Sequence, residues 1–272
     1  MTTLDVLMTS HNRCPKTLAC LASLVAQDVE VDLRVVLVDA GSTDGTREQV
    51  AERYPEAVVV PVGADVFWGQ GMRIAGEHAR PEADYHLWLN DDVVLAPSAL
   101  TELLRWSRTD RIVVGKLQDD EGTPTYGGLV TRPLARLSTR PIPVSTAPVR
   151  VDTMNGNVVL VGRAVRDAIG TVRGDLFPHA FGDIDYGFTA GSAGFQVVQA
   201  PGTVGHCSRN PAPASRSLPS LRSRWRAVVS TKELPPAVWW RACRRHGGVL
   251  GPAYFVRPYL KVLRRRPPEV TS

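Results

Sequence analysis

Apolar and polar positions follow two rhythms along the first part of the chain. Short aliphatic runs alternate with stretches in which apolar side chains recur at helical spacing. The run 4–9 ends in the polar Ser10, His11, Asn12 and Arg13. Pro15 suits the first turn of a helix whose apolar face reads as Leu18, Leu21, Ala22 and Val25. The run 33–38 is almost unbroken aliphatic and stops at Asp39, the pattern of a strand buried on both faces of a parallel sheet. Residues 40–46 read as a turn rich in capping side chains, followed by a polar helix to about residue 53. Further strands are expected at 57–62, 85–89 and 111–115, with a glycine-broken helix at 69–79 and another helix started by Pro97. Strands separated by helices predict a doubly wound α/β sheet.

The rhythm breaks between 117 and 150, where Pro124, Pro133, Pro141, Pro143 and Pro148 accompany Gly127 and Gly128. This stretch reads as an irregular loop or a hairpin within the same domain. Strands at 157–161 and 195–199 and a short helix at 163–169 follow. The acidic segment 181–188 opens a further helix. From about residue 215 the chain is helical in flavour, with Pro235, Pro236, Pro252 and Pro258 expected to cut it into pieces. The division predicted is a body over 1–210 and a helical basic extension over 211–272.

Charge sharpens that division. Residues 205–272 hold 14 Lys and Arg against Glu233 and Glu269, a net of +12 within a whole-chain net of +5, which leaves the first 204 residues at −7. Such a split points to a partner for the basic part. A hydrophobic share of 43% is enough for a packed core and excludes a disordered polyelectrolyte. Cys14, Cys20, Cys207 and Cys243 form no paired spacing, which excludes a disulfide framework or zinc ribbon and fits a reducing, cytoplasmic compartment. No secretory leader and no membrane-length apolar window are recognised. The absence of GxxxxGK[ST], and of GxGxxG after the first strand, argues against a P-loop or a dinucleotide site.

In a parallel sheet, ligands bind beyond the carboxyl ends of the strands. Three polar clusters are expected there: Ser10 to Arg13, Asp39 to Asp44, and Asn90-Asp91-Asp92. Adjacent carboxylates after an apolar strand call for a neutralising partner, and hard divalent cations that also bind phosphate supply one. The same pair also reads as a solvated turn capping the next helix.

Seven segments, in order and at ordinary spacing, together resemble the family 2 inverting glycosyltransferases of the A-type fold. They are 9–13, 38–46, 67–73, 89–93, 156–160, 181–185 and 201–206, covering roughly residues 3–210. The resemblance is to bacterial enzymes that add a single rhamnose or other sugar. It implies a Rossmann-like body with a mostly parallel sheet, a nucleotide-diphosphate sugar donor of UDP or dTDP type, and Mg2+ or Mn2+ as cofactor. By the same resemblance, Thr9, His11 and Arg13 line the nucleotide pocket, with Asp39 on the base or ribose. Ser42, Asp44, Trp68, Gly71, Arg73, Asn90 and Asp91 join them in donor binding. Asp92 and His206 are the implied metal ligands, and Asp183, supported by Asp185, is the implied general base.

The chemistry is consistent with those roles. A diphosphate leaving group needs its charge neutralised, and an acceptor hydroxyl needs a carboxylate to take its proton. One displacement uses one base and inverts the anomeric centre, unlike the carboxylate pair of a hydrolase. Asp183 and Asp185, two apart on a helix, point to different faces, so one faces the acceptor. Both also suit a helix first turn through the dipole alone. Trp68 reads equally as a sugar-stacking ring or as a core residue. Three positions depart from the family pattern: Gly182 stands where a Glu is usual, Thr189 where an Arg is usual, and Asn90 as the first member of the Asp-x-Asp site. A catalytically silent scaffold that binds a nucleotide or glycan is the alternative. For the basic extension, whose Arg residues are interleaved with Trp225, Trp239, Trp240 and Tyr259, two roles stay open. One is docking on the inner face of the plasma membrane, where a lipid-linked acceptor would lie beside glycan or small-molecule acceptors. The other is packing on the body or on a second copy in a homodimer. No nucleic-acid motif is present.

Overall fold

The computed structural model describes residues 1–132, 135–210, 218–231 and 233–263. Strand β1 (Thr3–Ser10) leads through α1 (Cys14–Val25) to β2 (Asp32–Ala40), then α2 (Thr46–Arg53), β3 (Val58–Val62), α3 (Trp68–His78) and β4 (Tyr85–Leu89). Next come β5 (Val94–Leu95), α4 (Ala99–Arg105), β6 (Arg111–Val114), β7 (Leu117–Gln118), β8 (Gly128–Arg132), β9 (Ala135–Pro141), β10 (Val149–Val151) and β11 (Thr153–Met154). The chain continues through β12 (Val158–Gly162), α5 (Arg163–Ile169), α6 (Gly182–Ser192), β13 (Gln196–Gln199) and β14 (Gly205–His206). Helices α7 (Leu221–Val228), α8 (Pro236–His246) and α9 (Gly251–Val262) follow.

Eight strands form one sheet in the order β10-β13-β6-β12-β4-β1-β2-β3. β1, β2, β3 and β4 run parallel, as do β6 and β13, while β12 runs antiparallel between β4 and β6. The expected α/β class with a mostly parallel sheet is therefore what the chain adopts. Alternation along each strand divides the core in two. Leu4, Val6 and Met8 of β1 and Leu37 of β2 face α1, α2 and α4. Leu7, Val36 and Val38 face α3, α5 and α6.

Several local expectations need correction. The buried face of α1 is Cys14, Thr17, Cys20, Leu21 and Leu24, while Val25 is exposed. Small and polar side chains take the inner positions because they are satisfied there: the Thr17 hydroxyl pairs with Ser10 Oγ at 2.8 Å and reaches Arg13 O at 3.2 Å. The glycines of α3 do not break it. Gly69 lets the helix pass the Phe177 carbonyl, which a Cβ would meet at 2.1 Å. Of the two readings of region 117–150, the hairpin is the one present, as β8–β9 in a small sheet with β11. Pro258 lies inside α9 instead of ending it. Pro258 offers no N–H to the Tyr254 carbonyl, which accepts the Trp239 indole N–H at 3.1 Å. Pro133 of the expected loop, and residues 211–217 and 264–272 of the expected extension, lie outside the described residues.

Helices α7 to α9 share a third apolar cluster with the body. Trp239, Ala242, Cys243, Tyr259 and Val262 pack with Phe177, and Phe181 packs against them. Packing of the basic segment on its own body is thus a feature of the fold.

Candidate active site

The carboxyl ends of β1, β2 and β4 place the three polar clusters side by side, because these strands are direct neighbours in the sheet. The loops after β1 and β2 are stitched together. Asn12 adopts a left-handed φ of 51°. Its Oδ1 accepts from Thr43 N at 2.8 Å, and its N–H donates to Ser42 Oγ at 3.0 Å. His11 Nδ1 donates to the Ala40 carbonyl at 2.7 Å. Asp44 accepts from Cys14 N at 2.9 Å and from Thr46 N at 3.2 Å, and these bonds hold its carboxyl below the usual carboxylate range. Asp39 is buried at the end of β2 and accepts from Ser42 N at 3.4 Å. Ser42 and Asp44 therefore spend their polar atoms on loop shape. Gly71 packs against Thr9, whose Cγ2 would lie 2.5 Å from an added Cβ.

Beyond β4, Arg13 Nη1 bridges Asp91 Oδ1 and Asp92 Oδ2, each at 3.1 Å. Burial pushes the Asp91 carboxyl above its ordinary range, while Arg13 and Ser10 pull it back. Asp92 is the more open of the two and receives the Cys207 thiol at 3.6 Å. His206 is exposed on β14 opposite Val94, so it projects on the same side of that small sheet, two residues along from Asp92. Among the described residues no group of three or more His, Cys, Asp or Glu side chains is arranged to hold a metal. The carboxylate pair still fits a hard cation that takes one or two protein oxygens and completes its shell from phosphates. Arg73 is turned away from this cluster and is paired with Glu77 along its own helix.

A second line of contacts runs from this pocket to α6. Asn90 Oδ1 accepts the Trp68 indole N–H at 2.9 Å. The far edge of the same ring lies against Gly156, where a Cβ would come 2.6 Å from it. Gly156 N donates to Asp183 Oδ2 at 2.9 Å, and Ile184 N donates to Oδ1 at 2.8 Å. Burial raises the Asp183 carboxyl above its ordinary range against those two bonds. Phe181, just before α6, takes a left-handed φ of 78° that a bulky residue adopts only when held. Phe177 and Trp239 hold it, with ring centroids 5.9 and 5.5 Å away.

Asp185 points the other way, as the spacing anticipates. It is 1% exposed and accepts from Arg245 Nε at 2.7 Å and pairs with His246 Nε2 at 2.6 Å. Of the two acidic residues of α6, Asp183 alone keeps an accessible edge. The Arg245 and His246 contact has no sequence signal, since nothing in a basic helix end specifies its partner. Gly156 was readable only as part of a matched segment. Its role follows from what touches it.

The sequence model of glycosyl transferase family 2 matches residues 5–174. An N-acetylglucosaminyl-diphospho-decaprenol L-rhamnosyltransferase of Mycobacterium tuberculosis (strain H37Rv) is 27% identical over 229 residues, which is 73% of this chain and 73% of that protein. The mannosyltransferase PcManGT of Pyrobaculum calidifontis, solved with GDP-Man and Mn2+, superposes with a TM-score of 0.56 at 19% identity. That superposition covers 96% of this chain and 68% of that one. S. aureus TarS 1-349 with UDP-GlcNAc gives a TM-score of 0.57 at 15% identity, over 96% and 72% of the two chains. At these identities the structural likenesses establish the fold.

Proposed function

The chain belongs to glycosyl transferase family 2, and from that premise we propose that it moves one sugar from a nucleoside-diphosphate donor to an acceptor hydroxyl in a single inverting displacement. The observation that carries this reading is the continuous contact from Asn90 through Trp68 and Gly156 to Asp183. It joins a phosphate-suited carboxylate pair to one partly accessible carboxylate with a raised proton affinity. The acceptor hydroxyl attacks the anomeric carbon as its proton passes to Asp183. A carbon–oxygen bond forms on one face, and the bond to the phosphate oxygen breaks on the other. The electron pair leaves with the nucleoside diphosphate.

Thr9, His11 and Asp39 are assigned to the nucleotide, with Asp39 accepting from a pyrimidine N–H of a UDP or dTDP donor. Asp92 and Asp91, with His206 assigned as a further ligand, would hold a divalent cation, Mg2+ or Mn2+, which would supply charge neutralisation at the diphosphate. Arg13 already pairs with both carboxylates, offsetting one of their two charges, and its guanidinium is suited to turn toward phosphate oxygens once donor arrives. Trp68 floors the sugar site. Asp185 positions α6. Residues 1–210 form the transferring body and 211–272 an extension specific to acceptor recognition. The acceptor is a sugar hydroxyl on a glycan, a lipid-linked carrier or a small molecule. The name of the mycobacterial relative supports the lipid-linked option. Among the described residues no helix is long and apolar enough to cross a membrane.

The test is turnover of nucleotide sugars with Mn2+, Mg2+ or EDTA. Nucleoside diphosphate release that needs the cation and is lost in Asp183→Asn is expected. Nucleotide binding with no turnover of any donor would leave a silent scaffold in its place.

A further inference from the structure

At the opposite end of α6 from Asp183 lies a cavity of about 660 Å3. Its walls come from β8, β9, β10, the last turns of α6 and the bend between α8 and α9. Arg132, Arg136, Arg150, Arg245 and His246 line it, with Asp152 as the acid. Asp152 Oδ2 accepts from Thr131 N at 2.6 Å and Thr131 Oγ1 at 2.9 Å. Arg245 is committed to Asp185. Arg136 lies over the Phe188 ring at 5.3 Å and donates to Ser192 Oγ at 3.2 Å. Among the described residues, the Arg132 and Arg150 side chains have no hydrogen bond or ion pair. Among the described residues the cavity therefore presents two uncommitted guanidinium groups beside one carboxylate, Asp152, which keeps its charge, so cationic groups outnumber the acid. That set suits phosphate.

The mouth of this cavity is apolar. Val249 is 97% exposed and Leu250 46% exposed, and both line it. Helix α9 begins at the next residue and exposes Val256, Leu260 and Leu263 at i, i+4 and i+7 spacing, one continuous face. Helix α8 adds exposed Trp240. Phosphate cations beside a hydrocarbon-suited face match one class of molecule, an amphiphile with a phosphate head and an apolar tail. We propose that this cavity binds the phosphate or diphosphate group of a lipid-linked acceptor, with the lipid chain lying over Val249, Leu250 and the exposed face of α9.

The site rests on the transferase reading and extends it from the reacting hydroxyl to the rest of the acceptor. Asp183 stands in the first turn of α6 and the cavity-lining Gly191 in the last, about 12 Å apart along the axis. Asp185 fastens Arg245 and His246 of the cavity wall to the helix that bears Asp183.

Binding of farnesyl diphosphate, inorganic pyrophosphate and farnesol to the full chain tests this, in EDTA so that no cation recruits diphosphate to the donor pocket. Farnesyl diphosphate is expected to bind best, pyrophosphate more weakly, and farnesol least. Joint Arg132→Ala and Arg150→Ala substitution should weaken farnesyl diphosphate at least ~10-fold. Joint Val249→Asp and Leu250→Asp substitution should weaken farnesyl diphosphate and leave pyrophosphate unchanged. Both variants should release nucleoside diphosphate from donor at the wild-type rate without acceptor. Equal binding of pyrophosphate and farnesyl diphosphate would mean a free-phosphate site and overturn the lipid assignment. Undiminished binding after loss of both arginines would overturn the site itself. A dimer that dissociates in the Val249→Asp, Leu250→Asp variant, with probe binding unchanged, would assign the apolar face to a second copy instead. Probe binding that behaves as expected while wild type turns over no donor would sink the transferase reading alone.

Discussion

At the residue scale, the raised proton affinity of Asp183, the proposed base, predicts the pH dependence of the rate. A base must be ionised to accept the hydroxyl proton. Its kcat/KM should therefore fall on acidification through a midpoint above ~3.9, the ordinary value for Asp, because burial favours the neutral form. Asp183→Asn should cost at least ~10²-fold in rate on the plateau where Asp183 is ionised, and less as pH falls. A full pH–rate profile of the two proteins checks both statements. Gly156→Ala probes the same carboxylate from behind. Its Cβ would enter the Trp68 ring and approach Asp183 Cβ at 3.2 Å, so turnover should drop while nucleotide affinity holds. His86 gives a separate pH signal. It is buried, and desolvation with Arg166 nearby pushes it down to about 3. Arg166 donates to its Nε2, which fixes the neutral tautomer. A folded-state value below the unfolded one means that stability is present above about pH 6.5 and is lost as pH falls toward 3. His86→Gln should flatten that loss, seen as a smaller drop in Tm between pH 7 and 4.5 than in wild type.

Elements show why periodicity located strands better than helix faces. Strands β1, β2 and β4 announce themselves as aliphatic runs because both of their faces are covered, and the ladder confirms it. The face of α1 was misjudged because Thr17 and Cys14 are inside. Their burial depends on partners from other elements, as the Ser10 hydroxyl on β1 shows. Likewise Pro258 reads as a break in any local scheme, yet α9 runs through it because Trp239 on α8 satisfies the freed Tyr254 carbonyl. Trp239→Phe keeps most of the apolar contact and removes that donor. It should destabilise the fold by about 1 kcal/mol, the effect of one lost hydrogen bond, measured by urea unfolding.

On the scale of the whole molecule, the opposite charges of the two parts meet in a specific contact. The body is acidic and the final segment basic, and Asp185 with Arg245 and His246 is one place where they join. Asp185→Asn should destabilise by about 2 kcal/mol, less than the 3–5 of a fully buried pair, because the Arg245 side chain is 33% exposed. Chemical unfolding reads that loss. A matching loss in Arg245→Ala, without further loss in the double variant, would tie it to the pair. The order of strands and helices, the mostly parallel sheet and the strand-end clusters were legible from sequence, since hydrophobic period and turn chemistry are local properties of the chain. The acidic segment that carries Asp183 was legible as a segment. Which of its two carboxylates stays accessible was not, and neither was the cavity whose arginines arrive from β8, β9, β10 and α8. Those features depend on bringing together residues far apart in sequence, as Asp185 and Arg245 are, 60 positions apart, and on which charges are already paired once they arrive. Only the packed chain fixes distances across that separation.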